Sequence, residues 1–169
     1  MIAIKSVLVA TDFSPASVSA LAYGRALAQT FCSTLHVLHV VENLMTRIAY
    51  GEGAMAGPPP IELQAEIEGL ARKDLEAFIS DSDRRELHAI SVLRVGNNAA
   101  KEISEYAKEA AVDIIVIGAT GRGMIDRFLT GSVADKVIRR APCPVLAVRH
   151  PEHEFLIPDA LQVVAHKTA

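Results

Sequence analysis

Two pairs of residues in the last third of the chain, Gly118 with Gly121 and Gly131 with Ser132, have the types and spacing of a phosphate-binding backbone. The first pair follows an apolar run that ends at Ile117, and the second opens a helical pattern. A side chain on either early glycine would hold a phosphate away from the main chain, and a turn with positive φ favours glycine. The unpaired N–H groups and positive dipole at a helix start attract an anion. The pattern therefore predicts a site for a nucleotide polyphosphate.

The same four residues also have a purely structural interpretation. Gly118 and Gly121 would then make a tight turn from strand to loop, while Gly131 and Ser132 would cap a helix. Glycine-rich loops are common, so spacing alone leaves both interpretations open. The position of the loop, after a strand and before a helix, favours the phosphate site.

Three polar residues around this loop extend the hypothesis. Asp12 is expected either to contact ribose hydroxyls and help place a metal ion, or to be a turn residue ahead of a cap at Ser14. Arg122 has the planar guanidinium that pairs with phosphate, although an exposed loop arginine fits the pattern as well. Ser132 offers a hydroxyl and an amide to phosphate, and it can cap its helix at the same time.

Other chemistries find no support in the residue pattern. The sequence has no lysine-bearing phosphate loop, and Asp126 stands where a dinucleotide fingerprint starting at Gly121 needs its third glycine. His36 and His39 are three apart in a predicted strand, so their side chains point to opposite faces and cannot share a metal ion. No set of nucleophile, base and orienting residue is recognisable, and no catalytic residue is predicted.

Strands and helices alternate along the chain and must position these groups. Ser14 and Pro15 predict the start of the first helix. Apolar strands joined by helical crossovers imply a parallel sheet covered on both faces, with ligands beyond the carboxyl ends of the strands. Asp12, Val41 and Gly118 lie at such ends. The predicted strands are 7–10, 35–41, 88–95, 113–117 and 145–148. The helices begin near 15, 61, 99 and 132, and the second ends at 80. The last of them is expected to bury Val133, Ala134, Val137, Ile138 and Ala141.

Composition narrows the class of function. The 169 residues, half of them hydrophobic, suffice for about one domain. A net charge of −3 gives no basic field for nucleic acid, and no apolar run is long enough to predict a membrane span. The beginning of the chain lacks a signal-peptide pattern. Cys32 and Cys143 match no metal spacing, and buried reduced thiols are expected, in keeping with a cytoplasmic location.

The chain resembles the universal stress proteins in several stretches. Its first strand ends in Thr-Asp-x-Ser and its second in Leu-His-Val. The most specific stretch is the glycine motif from Gly118 to Val133, which is followed by Ala-Pro-Cys-Pro-Val-Leu-Ala-Val ending at Val148. The resemblance extends from about Ser6 to Arg149, which is nearly the whole chain.

This resemblance implies a Rossmann-like α/β fold, an open five-stranded parallel sheet of order 3-2-1-4-5 with helices on both faces. It also implies a homodimer formed largely through the last strand, from Val145 to Val148, that acts on an unknown protein partner. The nucleotide-binding domain would span residues 1–149. Residues 150–169 would form a C-terminal extension that packs on a partner or against the dimer, with an unstructured tail as the alternative.

The resemblance further implies ATP binding, because members with the complete glycine motif bind ATP. The function would be that of a regulatory, nucleotide-sensing protein of the stress response; the alternatives are a slow nucleotide hydrolase and a nucleotide-free interaction module. Mg²⁺ or Mn²⁺ would be held through the phosphates, with no metal ligands from the protein. The implied nucleotide contacts are Ala10, Thr11 and Asp12 at the adenosine, Val40 with its backbone at the adenine, and Gly118, Gly121, Arg122, Gly131, Ser132 and Val133 at the phosphates.

Two residues depart from the family pattern. Thr120 stands where many relatives have His, and Ala10 where many have Pro. Neither change removes a backbone amide that the site needs, so the expected effect is on selectivity rather than on binding.

Overall fold

The computed structural model describes residues 2–45, 61–120 and 133–150. Within these ranges, no helix is long and apolar enough to cross a membrane. The described elements are, in chain order, β1 (Ser6–Thr11), α1 (Pro15–Phe31), β2 (Thr34–Val41), α2 (Ile61–Phe78), α3 (Asp81–Glu86), β3 (Ile90–Val95), α4 (Ala99–Glu109), β4 (Ile114–Thr120), α5 (Val133–Arg140) and β5 (Val145–His150).

The five strands form one parallel sheet in the order β3-β2-β1-β4-β5. The central strand β1 pairs with β2 on one side and β4 on the other, so Val7 lies beside both Leu35 and Ile114. The chain winds outward from β1 to β3 and then crosses back to β4, so its winding direction reverses between β1 and β4. The predicted sheet, its strand order and its α/β class are confirmed.

Two hydrophobic cores cover the two faces of the sheet. Successive side chains of a strand point to opposite sides, and β1 divides accordingly. Val7 and Val9 pack with α1 and α2 on what we call the first face. Leu8 and Ala10 pack with α4 and α5 on the second face. None of these four side chains is more than 5% exposed, which explains why residues 7–10 of the strand are all apolar instead of alternating.

The ends of α1 follow local sequence rules. The Ser14 hydroxyl caps the helix by accepting from the amide of Ser17, and Pro15 occupies the first turn, as predicted. The helix ends at Cys32, which takes a left-handed conformation with φ 52°. Cys32 is exposed at this helix end, so the expectation of a buried thiol is wrong there, whereas Cys143 is half-buried. Both cysteines are free.

A short helix, α3, lies between the predicted second helix and the predicted third strand, where the sequence analysis assigned no element. Ser80 does not end α2; its hydroxyl accepts from the amide of Asp83, whose carboxylate accepts from the Ser80 amide in return. This reciprocal cap starts a new helix. His88 then has a left-handed φ of 48°, so β3 starts at Ile90 rather than at residue 88.

The fourth strand is longer than predicted. The sequence places its end at Ile117, but β4 continues to Thr120 because β5 pairs with it residue by residue as far as His150. Gly118 therefore lies inside a strand and not in a turn.

The contact face of α5 is narrower than predicted. Ala134 and Val137 are buried in the second-face core. Val133 and Ile138 are 44% and 51% exposed, so the expectation that they are buried is wrong. Only the side of the helix that carries Ala134 and Val137 packs on the sheet, and the residues next to that side reach solvent.

Candidate functional site

A cleft opens at the carboxyl edge of the sheet, where β1 and β4 end side by side. The winding of the chain reverses there, which is where open α/β sheets bind ligands. The cleft has a volume of about 520 Å³ including its open mouth. Its lining residues come from both sides of the reversal: Ala10, Thr11, Asp12, Ser17, Leu38, His39, Val40, Ala99, Ile103, Ile117, Gly118 and Val133.

The structure brings together every predicted site residue that it describes. Those residues come from β1, β2, β4 and α5 and all line the cleft: Ala10, Thr11, Asp12, Val40, Gly118 and Val133. The others lie outside the described residues, and their assignment to phosphate binding stays a prediction: Gly121, Arg122, Gly131 and Ser132.

One wall of the cleft is apolar and was not identified from the sequence. Leu38 on β2 and Ile117 on β4 lie on either side of Ala10 in the sheet. Ala99 and Ile103 contribute one face of the first turns of α4. Leu38, Ile103 and Ile117 are no more than 5% exposed. Such a wall matches the flat apolar surface of an aromatic base. In the sequence these residues resemble any other core positions, so only the fold reveals their second role.

Asp12 supplies the carboxylate at the mouth of the cleft. Its Oδ1 accepts from the Ser14 amide at 3.0 Å and from the Ser14 hydroxyl. Partial burial acts to raise the pKa of Asp12, but these hydrogen bonds outweigh it, and the pKa lies below its ordinary value. Asp12 is therefore an anion at neutral pH. Asp12 accepts hydrogen bonds from Ser14 in the turn before α1 and also lines the cleft. The two predicted roles are therefore compatible.

The hydroxyl groups beside Asp12 are occupied in holding the loop. Thr11 Oγ1 donates to Ser17 Oγ at 3.0 Å, and Ser17 Oγ donates to the Ser14 carbonyl at 2.9 Å. Thr11 Oγ1 also accepts from the Phe13 amide at 3.0 Å. The Ser17 hydroxyl thus donates to a main-chain carbonyl, an arrangement that ties the loop to the first turn of α1.

His39 is a further cleft residue whose role the sequence did not reveal. Its Nδ1 lies 2.8 Å from the carbonyl oxygen of Thr11. Its ring centroid is 4.5 Å from that of Phe13, which has a left-handed φ of 62°. His36 is on the opposite face, with Nδ1 2.7 Å from the hydroxyl of Tyr106 on α4. The prediction that the two histidines point to opposite faces is confirmed.

Gly118 has a packing reason to be glycine. A Cβ at this position would lie 2.5 Å from the carbonyl carbon and oxygen of Ala16 and 2.8 Å from the amide nitrogen of Ser17. Both residues belong to the first turn of α1, which packs against β4 on the first face. The structural interpretation as a tight turn is therefore wrong for Gly118, because what the glycine allows is close approach of a helix to a strand.

The described part of the chain contains no group of three or more His, Cys, Asp or Glu side chains placed to hold a metal ion. In the cleft, Asp12 is the described carboxylate, and its Oδ1 is shared with Ser14. What the described cleft offers is an apolar wall, an anion at the mouth and a rigid rim. This combination suits the binding of an amphipathic ligand with a hydroxylated middle portion.

A comparison with protein families identifies the chain. The model of the universal stress protein family matches residues 3–149, a range that includes the described sheet except for the last residue of β5, and all the residues that line the cleft. The chain belongs to the universal stress protein family. The resemblance recognised in the sequence is thereby confirmed.

Individual relatives agree with this assignment. A universal stress protein of Methanocaldococcus jannaschii is 30% identical over 89% of this chain and 85% of its own length. A family member from Burkholderia pseudomallei has a similar structure, with a TM-score of 0.65 and 25% identity over 86% of this chain and 96% of that one. The universal stress protein of Archaeoglobus fulgidus solved in complex with dAMP shares the fold, with a TM-score of 0.57 and 24% identity over 87% of this chain and 98% of that one.

Proposed function

We propose that this universal stress protein binds ATP in the cleft and acts as a nucleotide-sensing regulatory homodimer of the stress response. The observation that supports this most is the pairing of an apolar wall with an ionised Asp12 at the point where the winding reverses. Adenosine has the matching chemistry, because its base is flat and apolar on both faces and its ribose offers two hydroxyl donors.

The proposal also includes a placement of each part of the nucleotide in the cleft. The base would lie against Leu38 and Ile103 with its edge at the backbone of Val40, and the ribose hydroxyls would donate to Asp12. Ala10 and Thr11 would border the adenosine. The phosphates would extend past Gly118 and Val133 to Gly121, Arg122, Gly131 and Ser132, with Mg²⁺ or Mn²⁺ held on the phosphate oxygens.

The dAMP complex of the Archaeoglobus fulgidus protein supports the choice of an adenine nucleotide. At 24% identity that likeness concerns the fold, so the proposal for this chain rests on its own cleft and on its glycine motif. A triphosphate is proposed because the sequence motif has two separate stretches that contain glycine, around 118–121 and 131–132, which is more than one phosphate needs.

Sensing is proposed in preference to catalysis because the described polar groups of the cleft are engaged in holding the loop. The Thr11 hydroxyl donates to the Ser17 hydroxyl, and the Asp12 carboxylate accepts from the Ser14 hydroxyl at the start of α1. None of these groups is aligned as a base beside a free nucleophile. Turnover would then be well below the typical enzyme range, which begins at about 1 s⁻¹.

The homodimer is proposed to form through β5, from Val145 to Val148, in a cytoplasmic protein. In the sheet β5 is a terminal strand, paired with β4 along one side only. An edge strand presents main-chain N–H and C=O groups that another copy of the same strand can pair with. A dimer interface there would leave the cleft accessible, because the cleft lies at the ends of the central strands.

Equilibrium dialysis with radiolabelled ATP and Mg²⁺ tests the function. The proposal predicts one nucleotide bound per chain with a Kd below about 1 mM. Steady phosphate release at about 1 s⁻¹ or faster that is lost in Asp12→Ala would show that the protein is a nucleotide hydrolase and not a sensor. A folded protein that retains no ATP under these conditions would leave the nucleotide-free interaction module as the function.

A further inference from the structure

The residues on both sides of Asp12 contact one imidazole, that of His39. Thr11, on one side, has its carbonyl at His39 Nδ1. Phe13, on the other side, has its ring against the His39 ring. We infer that His39 is the positioning residue of the nucleotide site, holding the Asp12 carboxylate where ribose hydroxyls reach it. This inference rests on the proposed nucleotide function. It gives His39 a role that is exerted through Asp12, without contact with a reacting atom.

The hydrogen bond on the Thr11 side is fixed by the sheet. Thr11 and His39 are register partners on the adjacent parallel strands β1 and β2. The separation of His39 Nδ1 from the Thr11 carbonyl oxygen is 2.8 Å. A carbonyl oxygen only accepts, so Nδ1 must carry the proton and donate. The last peptide of β1 is thereby held at the point where the chain leaves the sheet.

The ring contact on the Phe13 side stabilises an unusual backbone. A φ of 62° is sparsely populated for a residue other than glycine, and a bulky side chain makes it less favourable still. The Phe13 ring is enclosed by the His39 ring, with centroids 4.5 Å apart, and by the Phe78 ring of α2, with centroids 5.5 Å apart and planes at 82°. The contact area of these aromatic rings offsets the cost of the left-handed conformation.

Histidine is well suited to this position because its side chain provides both a hydrogen-bond donor and an aromatic ring. Phenylalanine would keep a ring against Phe13 but lose the donor to Thr11. Asparagine would keep an N–H close to the place of Nδ1 but lose the ring. Alanine would lose both. The three substitutions therefore separate the hydrogen bond from the ring contact.

Nucleotide affinity is the first test. His39→Ala is expected to weaken ATP binding about tenfold or more, and His39→Phe and His39→Asn about threefold each. The matched control is His36→Phe, on the same strand but with its ring at Tyr106 on the opposite face, which should change the affinity less than twofold. Equal losses in His36→Phe and His39→Phe would overturn the assignment.

A double-substitution cycle separates positioning from general loss of structure. If His39 acts through Asp12, then His39→Ala should have less than a twofold further effect once Asp12 is already alanine. A role in folding alone would lower the affinity by the same factor in both backgrounds. A similar loss of ATP affinity from His39→Ala in the native protein and in Asp12→Ala would therefore overturn the inference.

Hydrogen exchange without nucleotide keeps this test independent of the proposed function. The Phe13 amide donates to Thr11 Oγ1 and the Ser14 amide to Asp12 Oδ1. Both amides should exchange about fivefold faster or more in His39→Ala, and not in His36→Phe. Faster exchange in a protein that never binds ATP would refute the nucleotide function but support His39 as the anchor of the loop. Unchanged exchange, or unchanged ATP affinity in His39→Ala where the native protein binds, would overturn the positioning role.

Discussion

Gly118 and Ala16 approach so closely that a methyl group cannot be inserted between them. A Cβ on Gly118 would be 2.5 Å from the Ala16 carbonyl carbon, well inside van der Waals contact. The obstacle is backbone of the first turn of α1, which cannot move aside as a flexible side chain would. Because Ser17 in the same turn lines the cleft, this contact sets the position of the cleft rim relative to β4.

Gly118→Ala is therefore expected to destabilise the fold by about 1–3 kcal/mol, because the first turn of α1 must shift to admit the methyl group. The matched control is Gly69→Ala in α2, where an added Cβ meets nothing within 4 Å. That substitution should stabilise the protein by about 1 kcal/mol through helix propensity. Urea unfolding of both variants measures the difference. Equal stability of the two would show that the close approach carries no cost.

Asp12→Asn is expected to weaken ATP binding about fivefold to tenfold while the fold persists. The amide oxygen can still accept from Ser14, so the loop is retained, but ribose hydroxyls lose a charged acceptor. Asp113→Asn is the control, since Asp113 accepts from the amides of Lys5 and Ser6 at the amino end of β1, opposite the end where the cleft lies. Calorimetric titration with ATP should show a lower affinity for Asp12→Asn and native affinity for Asp113→Asn. A lower ATP affinity in Asp113→Asn than in Asp12→Asn would contradict a nucleotide site in the cleft.

Asp83 should make the stability depend on pH in the acid range. Its burial acts to raise its pKa, but hydrogen bonds from Arg25 and from Ser80 outweigh this effect and hold the pKa below its ordinary value of 3.8. A carboxylate with a depressed folded-state pKa stabilises the fold above the unfolded pKa. Its contribution falls as the pH drops through the unfolded value towards the folded one.

Asp83→Asn should thus cost about 2 kcal/mol of unfolding free energy at pH 7, and this cost should shrink as the pH falls below about 4. Asp81→Asn, an exposed carboxylate in the same first turn of α3, is the control and should change stability by less than about 0.5 kcal/mol. Urea unfolding over this pH range provides the measurement. A cost of Asp83→Asn that stays constant down to pH 3 would contradict the role of the ionised pair.

Ala147→Lys is expected to convert the proposed dimer into a monomer. Ala147 lies in the terminal strand β5, where a lysine opposes strand pairing between copies. Gln29→Lys, which adds the same charge to an exposed position of α1, should leave the dimer intact. Sedimentation equilibrium distinguishes the two species. A native protein that sediments as a monomer would refute the dimer through β5.

The central strands β1 and β4 were predictable because each contains a short apolar run that is buried on both faces. Ser14 and Pro15 likewise identified the start of α1 by local rules alone. The capping box of Ser80 with Asp83 was present in the sequence, but Ser80 was assigned to the end of the preceding helix. The true end of β4 could not be found locally, because it depends on β5 continuing to His150 alongside it.

The candidate site was partly predictable for a related reason. Asp12 and Gly118 lie at strand ends, and the carboxyl ends of parallel strands meet at one edge, so their convergence follows from topology. The contact of His39 with Thr11 and Phe13 depends on register between β1 and β2, which no local pattern encodes. The packing of Gly118 against α1 is also a tertiary effect, and in the sequence it resembles a loop glycine.

Calorimetric titration of the native protein and two alanine variants with ATP and Mg²⁺ tests the central claim most directly. Ala99 lines the cleft at the start of α4, whereas Ala26 lies within α1 and is not among the lining residues. We expect saturable binding with a Kd below about 1 mM in the native protein and in Ala26→Phe, and affinity reduced at least about tenfold in Ala99→Phe, whose ring would fill the base position. Undiminished binding in a folded Ala99→Phe, or no binding by the folded native protein, would contradict a nucleotide site in this cleft.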